Sequence, residues 1–438
     1  MNQVYENSRE FAQKMDQQDP LKNYRNEFHI PVINGKQVIY YTGNSLGLQP
    51  KRTRSFIEKE LKDWELFGVE GHFNPKKDNI WYHFHTYSKK SLSAIMGAKP
   101  EEVVSMNNLT VNLHLLMVSF YRPTAKKYKI IVEAGAFPSD QYVFESQLNW
   151  HAYHGGNKLF DPKEALVEIA PRKGERNLRT EDIIETIQKH SGELALVLIG
   201  GVQYYTGQFF NLKAITEAAH KAGAYAGFDL AHAAGNINLK LHDWDVDFAT
   251  WCTYKYLNSG PGNVSGIYVH ERFGNNPEIP RFAGWWGHSE QERFKMKKGF
   301  IPMEGADGWQ LSNVNIIGGA AHIASLEIFA EAGMEALRKK SVLLTGYLEY
   351  LIKEVNKEEK IFELITPENP EERGCQLSLL TLKYGKALFD ELMNRGILGD
   401  WREPDVIRLA PVPLYNTFEE QYQFSKILKE SLEALKQK

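Results

Sequence analysis

From about residue 90 to residue 330, short apolar runs of strand length alternate with segments of helical spacing. KYKIIVEA (127–134) precedes the helical PSDQYVFESQLNWHA, and ELALVLIGG (193–201) precedes LKAITEAAHKAG, which Gly223 closes. AYAGFDL (224–230), FATWCTY and GIYVHE (266–271) follow as further strands. The strands are apolar throughout rather than on alternate residues. Such strands are covered on both faces, and helices between them make the connections of a mostly parallel sheet. The pattern predicts an α/β fold, a large domain with a mostly parallel sheet flanked by helices.

The flanks read differently. Residues 1–45 form an N-terminal arm ending in a turn, and RTRSFIEKELKDWELFG follows as a helix with Ile57, Leu61 and Trp64 at helical spacing. Beyond about 335 the texture is α+β. A long amphipathic helix (ALRKKSVLLTGYLEYLIKEV) leads to short strands (CQLSLLTL, DVIRLAPV) and two more helices. The expected division is an arm (1–45), a large domain (46–334) and a small C-terminal domain (335–438). The 438 residues suffice for two or three cores.

Charge narrows the partners. A net charge of −3 gives no basic face for nucleic acid or an anionic membrane. The polar start lacks the apolar centre of a secretory signal, and no segment has the length of a membrane span. Two cysteines, Cys252 and Cys375, cannot build a disulfide framework, so a cytoplasmic protein is expected. The sequons at Asn108 and Asn263 are then chance matches.

Lys255 is the residue out of place. It follows a core strand and precedes the loop NSGPG. A strand-end lysine can simply extend into water. Here, however, Asp229 ends the strand AYAGFDL, and residues at the carboxyl ends of parallel strands face the ligand crevice. A buried carboxylate needs a cationic partner, which a protonated pyridine nitrogen supplies. A lysine on the same rim can form a Schiff base with an aldehyde. Together they match the demands of pyridoxal phosphate. Thr110, at the start of an apolar helix, can cradle a phosphate, although a plain helix cap looks the same. Phe137 could stack on the ring or simply fill the core.

Other chemistries find less support. There is no P-loop and no G-x-G-x-x-G after a strand. The pairs His83/His85 and His151/His154 lack a third ligand nearby, and Asp243, Asp245 and Asp247 lack the Gly and Glu of a calcium loop, so no metal is expected.

Several stretches together resemble the kynureninase family, pyridoxal-phosphate enzymes of the type I (aspartate aminotransferase) fold. They are GNSLGLQP (43–50), NLTVNLHLLM (108–117), AFPSDQY (136–142), VQYYTGQ (202–208), GFDLAHAAGN (227–236), LHDWDVDFATWCTYKYLNSGPG (241–262), GWWGH (284–288), LSN (311–313) and IRLAPVPLYN (407–416). The resemblance implies hydrolytic Cβ–Cγ cleavage of kynurenine or 3-hydroxykynurenine to an anthranilate and L-alanine, in tryptophan degradation and NAD biosynthesis through quinolinate. It makes Lys255 the cofactor-bonding lysine, Asp229 the partner of the ring nitrogen and His232 its neighbour. Leu109, Thr110 and Tyr254 become phosphate-side contacts, and Phe137, Pro138, Ser139 and Asp140 the segment against the ring. Tyr254 is also the candidate for proton transfer near the γ-carbonyl. Trp285 and Asn313 resemble residues that reach the site from a neighbouring subunit, implying a homodimer. Arg408 resembles the clamp for the substrate carboxylate, its planar fork suited to two parallel hydrogen bonds. Ser45, His72, Ser312 and Asn313 resemble further substrate contacts, and His72, Ser312 and Asn313 are the set found in members that prefer 3-hydroxykynurenine. Gly200 departs from the pattern, standing where members often carry Ser or Thr. Another lyase of this fold, such as a cysteine desulfurase, is the alternative, but Cys252 and Cys375 sit in or at strands rather than on a mobile loop.

Overall fold

The computed structural model describes residues 3–154 and 157–437, the side chains of His154 and Asn157 excepted, so the pair His151/His154 lies partly outside the described residues. Seven strands form the large sheet: β1 (Val103–Met106), β2 (Lys129–Glu133), β3 (Leu166–Ile169), β4 (Leu194–Gly200), β5 (Tyr225–Asp229), β6 (Phe248–Cys252) and β7 (Ser265–Val269). Their order is β1-β7-β6-β5-β4-β2-β3. Only β7 runs against the others, pairing antiparallel with β6 and β1. The central register sets Asp229 beside Gly200 on one side and Thr250 on the other.

The reason for the continuous apolar runs is visible in the packing. Ile131, Val197 and Ile199 enter one core, while their neighbours Ile130, Val132, Leu196 and Leu198 enter another on the opposite face. Successive side chains point to opposite faces, so burial on both leaves no polar position in the strand. The short strands β1 and β3 carry too little periodicity to be read from sequence. Helix α1 (Thr53–Phe67) forms where expected, followed by α2 (Leu109–Phe120), α3 (Pro138–His151), α4 (Leu212–Lys221) and α5 (Ile316–Ala332). In α1 the expected apolar stripe is not core: Leu61 and Trp64 are exposed, and the helix packs on α5 through other positions.

The C-terminal unit is α+β. Helix α6 (Met334–Glu358) precedes four antiparallel strands, β8 (Phe362–Leu364), β9 (Leu377–Thr381), β10 (Asp400–Arg402) and β11 (Val406–Leu409), in the order β8-β9-β11-β10. Helix α7 (Phe418–Lys436) closes the chain against α6, its Thr417–Glu420 capping box satisfying the first backbone N–H groups. The N-terminal arm joins this unit. Ile39–Tyr40 pairs with Ile397–Leu398, Ile39 and Tyr41 lie in the same core as Leu377 and Phe424, and Phe11 packs with Leu344, Tyr347 and Phe418. Among the described residues no helix is long and apolar enough to cross a membrane.

Candidate active site

Strands β1, β2, β4, β5 and β6 all run the same way, and their carboxyl ends open on one cavity of about 190 Å³. Leu109, Thr110, Phe137, Ser139, Asp140, Asp229, His232, Tyr254 and Lys255 all line it, nine residues drawn from four parts of the sequence. Pro138 does not line it. It opens α3 as its first residue, where its missing N–H is no loss.

Two helix N-termini converge at one end. Asn108 caps α2 by accepting from the Val111 N–H at 3.1 Å. Thr110 Oγ1, from the first turn of α2, lies 2.8 Å from Ser139 Oγ, from the first turn of α3. Two hydroxyls and two sets of free backbone donors make an anion cradle suited to a phosphate.

At the other end the groups are charged or held neutral by burial. Lys255 Nζ lies 2.9 Å from His232 Nε2. Burial, reinforced by the Lys255 charge, pushes the His232 pKa well below the usual imidazole range, so the ring is neutral and accepts from the ammonium. Its Nδ1, which then carries the proton, has no partner among the described residues. Asp229 accepts from the Ala231 N–H at 2.7 Å and hydrogen-bonds Asp140. Burial and the Asp229 charge raise Asp140 well above the ordinary carboxyl range, so Asp140 holds the shared proton and donates it. Glu133 is buried beside them and accepts from the Gly200 N–H at 3.2 Å. Burial pushes its pKa up to about 7. Tyr254 is raised, first by burial and then by Cys252, and keeps its phenolic proton.

The Lys255 loop is held from outside. Gly47 donates its N–H to the Tyr254 carbonyl at 2.9 Å, and any Cβ on Gly47 would collide with the Lys255 carbonyl and Asn258. That close approach explains a glycine inside GNSLG.

Arg408 is wholly buried on β11. It donates to the Tyr204 carbonyl at 2.6 Å and to Asp400 at 2.7 Å, with Ser45 Oγ at 3.4 Å. Tyr204 also lines the lysine cavity, so Arg408 adjoins it. His72 and Asn313 are elsewhere: they line a second cavity of about 220 Å³ with Glu60, Trp64 and Trp81. Ser312 is exposed next to Asn313, and Trp285 is exposed edge-on to Phe294. This chain alone therefore does not bring those four residues to Lys255.

Glu133 and Asp400 were missed from sequence, and Tyr204, noted there only as one of the paired aromatics of VQYYTGQ, was not named as a site residue. Glu133 carries the same signal as Lys255 and Asp229, a charge ending an apolar strand. Tyr204 contributes mainly a backbone carbonyl, which sequence does not mark. Away from the cavity Glu102, His242 and His270 also meet. There Glu102 accepts from the backbone of Lys99 and Glu271, and His270 from that of Arg272, so the group serves as chain caps.

The cavity fits pyridoxal phosphate: the cradle takes a phosphate, an unpartnered Asp140 oxygen and the Asp229 carboxylate await a cationic ring edge, and Lys255 offers an amine. Residues 79–378 match the aminotransferase class-V family, which assigns the chain to the pyridoxal-phosphate-dependent enzymes of this fold. A cysteine desulfurase from Thermococcus onnurineus NA1 superposes with TM-score 0.71 at 18% identity over 94% of this chain and 98% of that one. A structure of a C-DES lysine-to-alanine mutant, with glycine covalently linked to its PLP cofactor, gives 0.73 at 15% over 89% and 96%. At such identities the likeness concerns the fold. Residues 337–428 match the kynureninase C-terminal domain. Kynureninase of Flavobacterium psychrophilum is 57% identical over 98% of this chain and 99% of its own, and that of Nematostella vectensis 47% over 96% and 93%. The chain belongs to the kynureninase family, and so is a pyridoxal-phosphate-dependent hydrolase acting on a carbon–carbon bond of kynurenine. Burial raises the thiols of both Cys252 and Cys375, the latter to about 12, which disfavours the thiolate that a desulfurase requires.

Proposed function

We propose that this enzyme hydrolyses both L-kynurenine and 3-hydroxy-L-kynurenine, prefers the latter, and works as a homodimer whose subunits share each site. The observation that carries the preference is the His72–Asn313 pair in one cavity. His72 Nδ1 lies 3.1 Å from the Val69 carbonyl, which can only accept. In the neutral ring Nε2 is then an acceptor without a hydrogen-bond partner among the described residues, and the Asn313 amide is both donor and acceptor, so together they suit a phenolic hydroxyl. Because that cavity is separate from the lysine cavity of the same chain, the reading requires a partner to supply it, with Trp285 and Ser312. The exposed apolar side chains Leu61, Trp64, Val69, Phe73 and Phe294 support such an interface.

Bound pyridoxal phosphate supplies the electron sink that makes carbanion chemistry accessible. The residues do the rest. Thr110, Ser139 and the N–H groups of Leu109 and Thr110 would hold its phosphate, Phe137 would line the ring's side of the cavity, and Asp229 would accept from the ring N–H. Lys255, its amine oriented by the contact with neutral His232, removes and returns protons at the substrate α-carbon. Arg408 binds the α-carboxylate, with Ser45 beside it. Tyr254, kept protonated, donates to the γ-carbonyl oxygen as water adds there. The products are anthranilate or 3-hydroxyanthranilate and L-alanine, a chemistry that suits tryptophan breakdown and NAD synthesis through quinolinate; with two free cysteines and no disulfide, the cytoplasm is the compartment that suits the chain. The division into arm (1–45), cofactor domain (46–334) and small domain (335–438) belongs to the same reading.

The test is kcat/KM for both substrates with product identification. The wild type is expected to favour the 3-hydroxy substrate. His72→Trp should lower its advantage over kynurenine by roughly tenfold or more, the worth of a hydrogen-bonded hydroxyl. Faster turnover of plain kynurenine by the wild type refutes the preference.

A further inference from the structure

The carboxylate clamp already holds a carboxylate of its own. Asp400, on β10, is the cross-strand partner of Arg408 on β11. Its two oxygens take the guanidinium side-on, Oδ1 from Nε at 3.3 Å and Oδ2 from Nη2 at 2.7 Å. Ser45 Oγ bridges the pair, donating to Asp400 and accepting from Nη2 at 3.4 Å. Nη1 donates to the Tyr204 carbonyl at 2.6 Å. Of the five guanidinium hydrogens, the second on Nη1 has no acceptor among the described residues, and the one toward Ser45 has the longest bond of the set.

We propose that Asp400 is the positioning residue of Arg408: it grips the Nε–Nη2 edge so that the remaining Nη hydrogens are presented to the α-carboxylate of the substrate. This rests on the reading of Arg408 as the clamp. Three observations support a positioning role over competition for the same donors. The edge Asp400 occupies is one of two on a planar fork, and the other stays available. Arg402 Nε also reaches Asp400 at 3.0 Å, so two guanidinium groups share one carboxylate and the group keeps a net positive charge for an incoming anion. Arg408 is fully buried, where an unpartnered guanidinium on a long stem would have neither a fixed direction nor a counter-charge. The Ser45 bridge adds a link to the reacting end, because the same GNSLG segment supports the Lys255 loop through Gly47.

The experiment is steady-state kinetics of the holoenzyme with Asp400→Asn and Asp400→Glu, Arg408→Gln as reference, and kynuramine, the substrate without its α-carboxylate, as a competitive inhibitor. Asp400→Asn should raise KM for kynurenine roughly ten- to hundredfold, the loss expected for charged hydrogen bonds. Its kcat should change by no more than about threefold and its Ki for kynuramine should hold, since uniform binding is what is removed. Asp400→Glu keeps the buried pair ionic, so it folds even where the amide does not, and should raise KM to a smaller extent. An unchanged or lower KM in either variant overturns the proposal, as does a parallel loss of kynuramine affinity. Arg408→Gln separates the two readings. If it leaves KM unaltered, the clamp itself is wrong, whereas if it raises KM while the Asp400 variants do not, only the role of Asp400 falls.

Discussion

Trp64 offers the sharpest test of a site shared between subunits. It stands on α1 with 63% of its surface exposed, and it walls the cavity that holds His72 and Asn313. A tryptophan side chain spans about 250 Å², so on the order of 150 Å² lies open. At about 25 cal/mol per Å² its burial stabilises an interface by roughly 4 kcal/mol. A two-fold dimer counts it twice, about 8 kcal/mol. With only half of that surface covered, Trp64→Glu still removes about 4 kcal/mol, which is about a thousandfold in the dimer Kd. The rigid-body cost of association is common to both proteins and cancels from the difference. Sedimentation velocity over a wide concentration range reads the equilibrium directly, and kynurenine turnover measured on the same dilutions reads the site. The wild type should stay dimeric where the variant is monomeric, and activity should disappear along with the dimer. A monomeric wild type that turns over at full rate, or a Trp64→Glu protein with an unaltered dimer constant, refutes the reasoning.

Lys255→Ala should lower turnover by at least about a thousandfold, the range of a lost acid–base group, and the protein mixed with pyridoxal phosphate should show no borohydride-sensitive visible band; retained turnover would contradict the assignment. Glu133→Gln tests the buried acids at the strand ends. Glu133 is raised from its ordinary 4.5 to about 7, first by burial, with Asp229 adding to it. Between those values the folded protein holds a proton that the unfolded chain has released, so stability falls as pH rises through this window. The glutamine variant lacks that loss, and its stability relative to wild type should improve by roughly 3 kcal/mol between pH 5 and pH 8 in urea unfolding of the cofactor-free protein. Parallel pH profiles for the two proteins would show that Glu133 is ionised throughout.

The alternation of apolar strands and helices determined the fold class by itself, because strands buried on both faces leave no polar position. Ile130 to Val132 and Leu196 to Ile199 feed two cores at once. Lys255 and Asp229 were legible for a related reason: a charge ending such a run stands out, and the two fall at the ends of strands in one crevice, whereas Glu133, with the same signal, went unread. The stretches around them were distinctive enough to suggest the family, and with it most of the residues that line the lysine cavity.

Tertiary structure decided what depends on distant parts of the chain meeting. That Thr110 and Ser139 form one cradle, or that Asp140 shares a proton with Asp229, follows from how the starts of α2 and α3 and the end of β5 converge at one sheet edge. The arm's attachment to the C-terminal unit joins Ile39 to Ile397, a pairing that no local pattern encodes. The same holds for Asp400, which in sequence is one acid in GDWREPD and becomes the counter-charge of Arg408 only through the β10–β11 register. Helix α1 shows the converse limit. Periodicity correctly announced a helix, but burial is a property of surroundings, and the described residues leave Leu61 and Trp64 largely exposed.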